Sequence, residues 1–103
     1  MAEAQEEERD VTLLKVNGSK GKDVDKIYVK KLANALLQTF NKHGIARLRC
    51  VGAASVNNAD KAIIIASTEA MNRGIELVEK KSFVVANFDG VEKTGILKEV
   101  FKR

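Results

Sequence analysis

Two long stretches of this chain repeat their apolar residues at helical spacing, and each follows a short β-branched segment. In the first, Val24, Ile27, Tyr28, Leu32, Ala35, Leu36 and Phe40 recur at the i, i+3, i+4 positions of one helical face. In the second, Ala59, Ile63, Ala66 and Ala70 form a stripe with Ala62 beside it. Val11 to Val16 and Ile45 to Val51 have the apolar and β-branched content of strands. Ile75 to Val78 and Phe83 to Phe88 read as extended segments interrupted by Glu79-Lys80-Lys81, and Lys93 to Phe101 as a returning strand. Asp89-Gly90 between the last two is a strong hairpin signal, because both residues tolerate the positive φ of a type I′ turn.

The order is therefore β-α-β-α-β-β. Strands separated by helices are expected to run parallel through right-handed crossovers, and the last pair to form an antiparallel hairpin. Two helices and four strands make an α+β two-layer sandwich, with both helices on one sheet face and the other face left for water or a partner. Local signals set the element ends. Asp23 or Asp25 suits the first turn of the first helix, and Gly44 its C-terminal end after Lys42 and His43. Ser55 or Asn57 is an N-cap candidate for the second helix, and Asn72-Arg73-Gly74 closes it. Gly95 inside the last strand reads as a bulge.

Length and composition exclude several functions. At 103 residues there is one core, with 45% hydrophobic and 31% charged residues, as in a globular domain. A single cysteine, Cys50, leaves no internal disulfide or cysteine-based zinc site, and a single histidine, His43, leaves no histidine cluster. No apolar run nears the roughly 18 residues of a membrane span. The first residues are acidic, unlike a secretory or mitochondrial leader, so the cytoplasm is the expected compartment, with the nucleus as the alternative. No pair of acids suggests a general acid/base couple, so no enzyme, cofactor, metal or small-molecule substrate is expected.

Charge points elsewhere. Residues 1–10 carry five acids and one base, a net of −4, against +4 for the whole chain, which leaves +8 on residues 11–103. The first ten residues read as an acidic disordered tail and 11–103 as a single domain. A small body that basic attracts polyanions, of which nucleic acid is the commonest.

Gly52-Ala53-Ala54-Ser55-Val56-Asn57-Asn58-Ala59 lies between a strand and a helix start, where free backbone N–H groups and the helix dipole favour an anion. Together with Leu32-Ala-Asn-Ala-Leu36, Gly44-Ile-Ala46, Val51, Lys61-Ala62 and Phe88-Asp-Gly-Val-Glu92, this segment resembles the stage V sporulation protein S family, whose fold is Alba-like. The resemblance spans about Leu14 to Val100. It implies a four-stranded mixed sheet of order 1-2-4-3, a nucleic-acid-binding role, and dimers or higher oligomers. The acidic segment and the long lysine-rich connection before the first helix depart from that family.

Lys15, Lys20, Lys22, Lys26, Lys30 and Lys31 are six bases in 17 residues, able to follow a phosphate backbone without reading sequence. Arg47 and Arg49 share one face of the second strand, opposite Leu48 and Cys50. The expected binding set is Lys20, Lys22, Lys26, Arg47, Arg49, Gly52, Ala53, Ser55, Asn57 and Lys61, with DNA or RNA as partner. Ile64 and Ile65 widen the apolar surface of the second helix beyond one face and are the expected oligomer contact. The competing expectation is a structural or adaptor protein that meets protein partners through that helix and the open sheet face. Phe40 and Cys50 are expected in the core. Phe88 is the one aromatic considered for nucleic-acid contact, and packing is preferred even there.

Overall fold

The computed structural model describes residues 10–103; of the tail expected over residues 1–10, all but Asp10 lies outside them. The elements are β1 (Leu13–Val16), α1 (Lys22–His43), β2 (Ile45–Cys50), α2 (Ala53–Asn72), β3 (Leu77–Phe88) and β4 (Val91–Lys102). They form one four-stranded sheet of order β1-β2-β4-β3. β1 runs parallel to β2, while β2 with β4 and β3 with β4 are antiparallel. This is the α+β, β-α-β-α-β-β architecture expected from the sequence.

Burial alternates along β2, with Ala46, Leu48 and Cys50 fully buried against the helices and Arg47 and Arg49 on the outer face. The alanines of α2 explain the tight helix layer. Ala59, Ala62 and Ala66 have no exposed surface, so the helix backbone sits close to both α1 and the sheet. α1 contributes Val29, Leu32, Ala33, Leu36, Leu37 and Phe40 to burial. The buried stripe is rotated from the one expected: Val24 and Ile27 are exposed, and Val29, Ala33 and Leu37 take their place.

The caps also differ. Gly21 precedes α1 and no side chain caps it; Asp25 instead accepts hydrogen bonds from Ser19 Oγ (2.6 Å) and Lys20 N (2.8 Å), folding the connection back on the helix. Those bonds hold the Asp25 carboxyl below its usual pKa, the Ser19 bond first. Gly52, not Ser55 or Asn57, stands at the N-cap of α2, leaving Ser55 buried within the first turn and Asn57 exposed. Gly44 closes α1 in the left-handed conformation, as expected.

β3 is continuous through Glu79-Lys80-Lys81. It is an edge strand that the helices barely cover, so charges on both of its faces meet solvent or partners. The turn has positive φ at both Asp89 (52°) and Gly90 (83°), the type I′ signature. Gly95 marks no bulge, because the β3–β4 register runs unbroken past it. A Cβ there would collide with the Cys50 carbonyl oxygen and come within 3.0 Å of Val51 Cγ2. The glycine is a close-approach position that lets β4 pass β2.

Candidate functional site

The outer sheet face gathers charge at one end. The registers Lys15↔Arg49 and Arg49↔Leu97 put Lys15 and Arg49 side by side on β1 and β2. Beyond the end of β2 the β3–β4 hairpin continues, and it brings Phe88 and Lys93 to the same place. The Arg49 guanidinium lies 5.9 Å and the Lys93 ammonium 5.7 Å from the Phe88 ring centroid, within cation–π range. Phe88 is 41% exposed. A cleft of about 440 Å³ opens here, lined by Lys15, Gly18, Arg49, Ser55, Phe88 and Lys93, among others. Ser55 belongs to the first turn of α2, so the uncapped start of that helix borders the same cleft. Among the described residues, Lys15, Arg49 and Lys93 take part in no ion pair.

Two residues back along β2 the situation reverses. Arg47 lies 3.6 Å from Asp10 Oδ2 and 3.4 Å from Glu99 Oε2. Its Nε is buried without a hydrogen-bond partner. Asp10 is itself fixed by Thr12, whose Oγ1 (2.6 Å) and N (3.0 Å) donate to Oδ1. The Thr12 side-chain bond leads in lowering the Asp10 pKa, with the Arg47 charge assisting.

The remaining expected site residues fall on the helix side. Lys22, Lys26, Asn57 and Lys61 line a cleft of about 630 Å³ between α1 and α2, together with Ile64 and Ile65. Asp23 and Asp25 line it too, so its charge is mixed. Lys20 stands apart, beside Val24 and Ile27. Gly52 and Ala53 border a third cleft of about 590 Å³, between α2 and the hairpin, that includes Phe83. The expected set is thus divided over separate surfaces: Arg49 and Ser55 lie in one, Lys22, Lys26 and Lys61 in another, and Gly52 and Ala53 in a third. Ile64 is 65% exposed, whereas Ile65 packs against the core.

Three side chains escaped the sequence reading. Lys98, 1% exposed, faces the helices from β4 and bonds to Asp60 Oδ1 (2.6 Å) and Glu79 Oε2 (3.0 Å). Burial alone would lower its pKa, but the bonds to Asp60 and Glu79 outweigh that and raise it, so the ammonium is held charged. Alternation along Ile96, Lys98 and Val100 was the available signal, since the register sets Lys98 opposite buried Leu48. Phe83, on the edge strand β3, is 83% exposed. Lys93 reaches Phe88 through the hairpin pairing Ala86↔Lys93, which one sequence run does not display. Cys50 is buried as expected, and desolvation pushes its thiol up to about 11.

Among the described residues, no group of three or more histidine, cysteine or acidic side chains is placed to hold a metal ion, and no helix is long and apolar enough to cross a membrane.

A family model described as Stage V sporulation protein S (SpoVS) matches residues 24–103. The chain belongs to that family. The match begins inside α1, so the acidic segment, β1 and the lysine-rich connection lie ahead of it.

Proposed function

We propose that this chain binds nucleic acid, DNA or RNA, mainly through the phosphate backbone and with little sequence specificity. The observation that supports this reading is the cluster of Lys15, Arg49 and Lys93 around half-exposed Phe88, with no acid pairing any of the three among the described residues. Arginine offers a phosphate two parallel donors, and the lysines add mobile charge. The Phe88 ring lies within cation–π range of the Arg49 and Lys93 heads and leaves their charge in place. Lysines 22, 26 and 61 on the helix side add a second, weaker field. Titration of matched random-sequence DNA and RNA 20-mers at two salt concentrations tests the reading. Affinity is expected to fall by roughly 0.7–0.9 log units per log unit of salt for each phosphate neutralised. Binding that does not change with salt overturns it.

Exposed Phe83 and Ile64 favour a second reading, a structural or adaptor protein. Self-association, in either reading, is expected to rest on Ile64 rather than Ile65, which the core already holds. Light scattering of Ile64→Glu tests it: the variant is expected to be smaller than wild type, and a wild type already monomeric at high micromolar concentration sinks the idea.

A further inference from the structure

Ser55, in the first turn of α2, is 3% exposed, yet its hydroxyl makes no hydrogen bond among the described residues. A hydroxyl so buried ordinarily finds a partner. Ser55 lines the cleft of about 440 Å³ that also holds the cation cluster. Gly18 lines the same cleft, and a Cβ added there would stand 3.8 Å from Ser55 Oγ. The hydroxyl is thus next to a residue with no side chain. That neighbour is fixed from two sides: Asn17 N–H donates to Tyr28 Oη of α1 (2.9 Å), and Asn17 O accepts from Asn58 Nδ2 of α2 (3.1 Å). The backbone at the same helix start is open as well. Gly52 is the N-cap, no side chain caps the helix, and the first bond runs from Val56 N–H to Gly52 O (3.2 Å). The N–H groups of Ala53, Ala54 and Ser55 therefore have no acceptor within the helix, and the helix dipole adds partial positive charge there.

We infer that this cleft is a phosphate-monoester site, in which Ser55 Oγ and the free N–H groups of α2 bond the phosphoryl oxygens while Lys15, Arg49 and Lys93 balance the charge. Its occupant is the phosphorylated end of a nucleic-acid strand; that identification, unlike the site, rests on the nucleic-acid reading. The donors favour an end over the middle of a strand. A backbone diester carries one charge and two free oxygens. A monoester carries about −1.5 to −2 near pH 7 and offers three acceptor oxygens. The charged side chains that line the cleft are Lys15 from β1, Arg49 from β2 and Lys93 from β4, and no acid or histidine lines it among the described residues. Its volume also falls in the range of small-ligand sites, about 300–1,000 Å³.

The test titrates the full chain with single-stranded 20-mers of one sequence that end in a 5′-phosphate, a 3′-phosphate or neither, at 0.1 M salt. At pH 7.5 a phosphorylated end is expected to tighten binding about tenfold, as one charge-assisted hydrogen bond suffices to do. The preference should shrink at pH 5, because the monoester gives up its second charge near pH 6 and the diesters do not change. Ser55→Ala removes the hydroxyl, and Gly18→Val fills the space beside it at a position without positive φ. Each is expected to cut the preference to under about threefold, with thermal melts showing that both variants are folded. A preference unchanged in both folded variants overturns the site. Inorganic phosphate, followed by heteronuclear NMR, supplies the arm without nucleic acid. It is expected to shift the Ala54 amide in wild type and much less in Ser55→Ala. Shifts confined to Lys22, Lys26 and Lys61, or none at 10 mM phosphate, overturn the site. If no 20-mer binds but the Ala54 shift is present, the nucleic-acid reading fails and the phosphate site stands. If all three 20-mers bind equally while that shift is present, the strand end is overturned as occupant and a free phosphate takes its place.

Discussion

Arg47 and Arg49 sit two residues apart on the same strand face, yet they end in opposite circumstances. Arg47 lies between Asp10 and Glu99, and its charge is spent inside the molecule. Arg49 has Lys15 beside it and the Phe88 ring within cation–π range of both it and Lys93, and it forms no ion pair among the described residues. A count of basic residues treats these two as equal. What separates them is the neighbouring strand: β4 offers Glu99 opposite Arg47 and Leu97 opposite Arg49. An electrostatic field capable of holding a polyanion is made where cations lack partners, not where cations are most frequent.

The largest effect should come from deleting the unpaired end. Lys15→Ala, Arg49→Ala and Lys93→Ala together are expected to lower the salt slope of nucleic-acid binding by about three and affinity at 0.1 M salt by roughly 10²–10³-fold. Arg47→Ala is expected to change the slope by less than about half a unit. Lys20→Ala, Lys22→Ala and Lys26→Ala together are expected to cost less than the outer set, because Asp23 and Asp25 share their surroundings. Titrations at four salt concentrations, with thermal melts to show that each variant is folded, decide it. A larger loss from the helix-side set would move the interface to the other layer.

The fold was legible because its signals are local and repeat. Helical spacing gave both helices, Gly44 gave a helix end, and Asp89-Gly90 gave the hairpin whose two positive φ angles the structure shows. The site was less legible, for reasons that particular residues make plain. Lys93 and Arg49 meet only because a 12-residue strand pairs back on another and carries its tip past the end of β2. Arg47 and Arg49 look alike until Glu99 is set across from one of them by register. Lys20, Lys22 and Lys26 are close in sequence, but the connection folded back by Asp25 sets Lys20 apart from Lys22 and Lys26, which share the cleft on the helix side. Gly95 read as a bulge because a lone strand glycine is ambiguous; only the neighbouring carbonyl shows that it is a close approach.

The inner face sharpens the contrast, since Lys98 is a cation fully engaged by two acids. Lys98→Ala removes the ammonium and empties its buried stem, and is expected to cost about 3 kcal/mol. That corresponds to a fall of about 10–20 °C in melting temperature for a domain of this size. Lys98→Met keeps the stem, and Asp60 and Glu79 can still reach water, so less than half that cost is expected. Equal losses from the two variants would mean that the ion pairs, not the packing, dominate. The raised Lys98 pKa fixes the alkaline behaviour. Its contribution is full below the ordinary value of 10.5 and is lost as pH rises through the higher native value.

Gly95→Ala tests whether the hairpin is what builds the unpaired end. Its Cβ would press on the Cys50 carbonyl and push β4, with Lys93 and the Phe88 turn, away from Arg49. A cost of about 2 kcal/mol is expected from the overpacking. Binding should weaken more than for Arg47→Ala, and the Phe88 ring signals should shift in NMR. A folded variant with wild-type affinity would show that the hairpin does not need to approach β2 for binding.

The smallest effect concerns the paired end. Asp10 has a lowered pKa, chiefly from the Thr12 hydroxyl bond, with the Thr12 N–H and Arg47 helping. A carboxyl with a depressed native pKa stabilises the fold above its unfolded value, here 3.8, and the contribution disappears as pH falls through the native value. Asp10→Asn is therefore expected to be less stable than wild type at pH 7 by under about 1 kcal/mol, since the pair with Arg47 is partly exposed. The stabilities of the two proteins should converge as pH falls through the native Asp10 value, below 3.8. Arg47 keeps Glu99 at 3.4 Å, so its release is partial, and the salt slope of binding should rise by no more than about half a unit. A rise of a full unit would mean that Asp10 alone holds Arg47 out of the interface. The two arginines would then differ by one removable contact rather than by the register of the sheet.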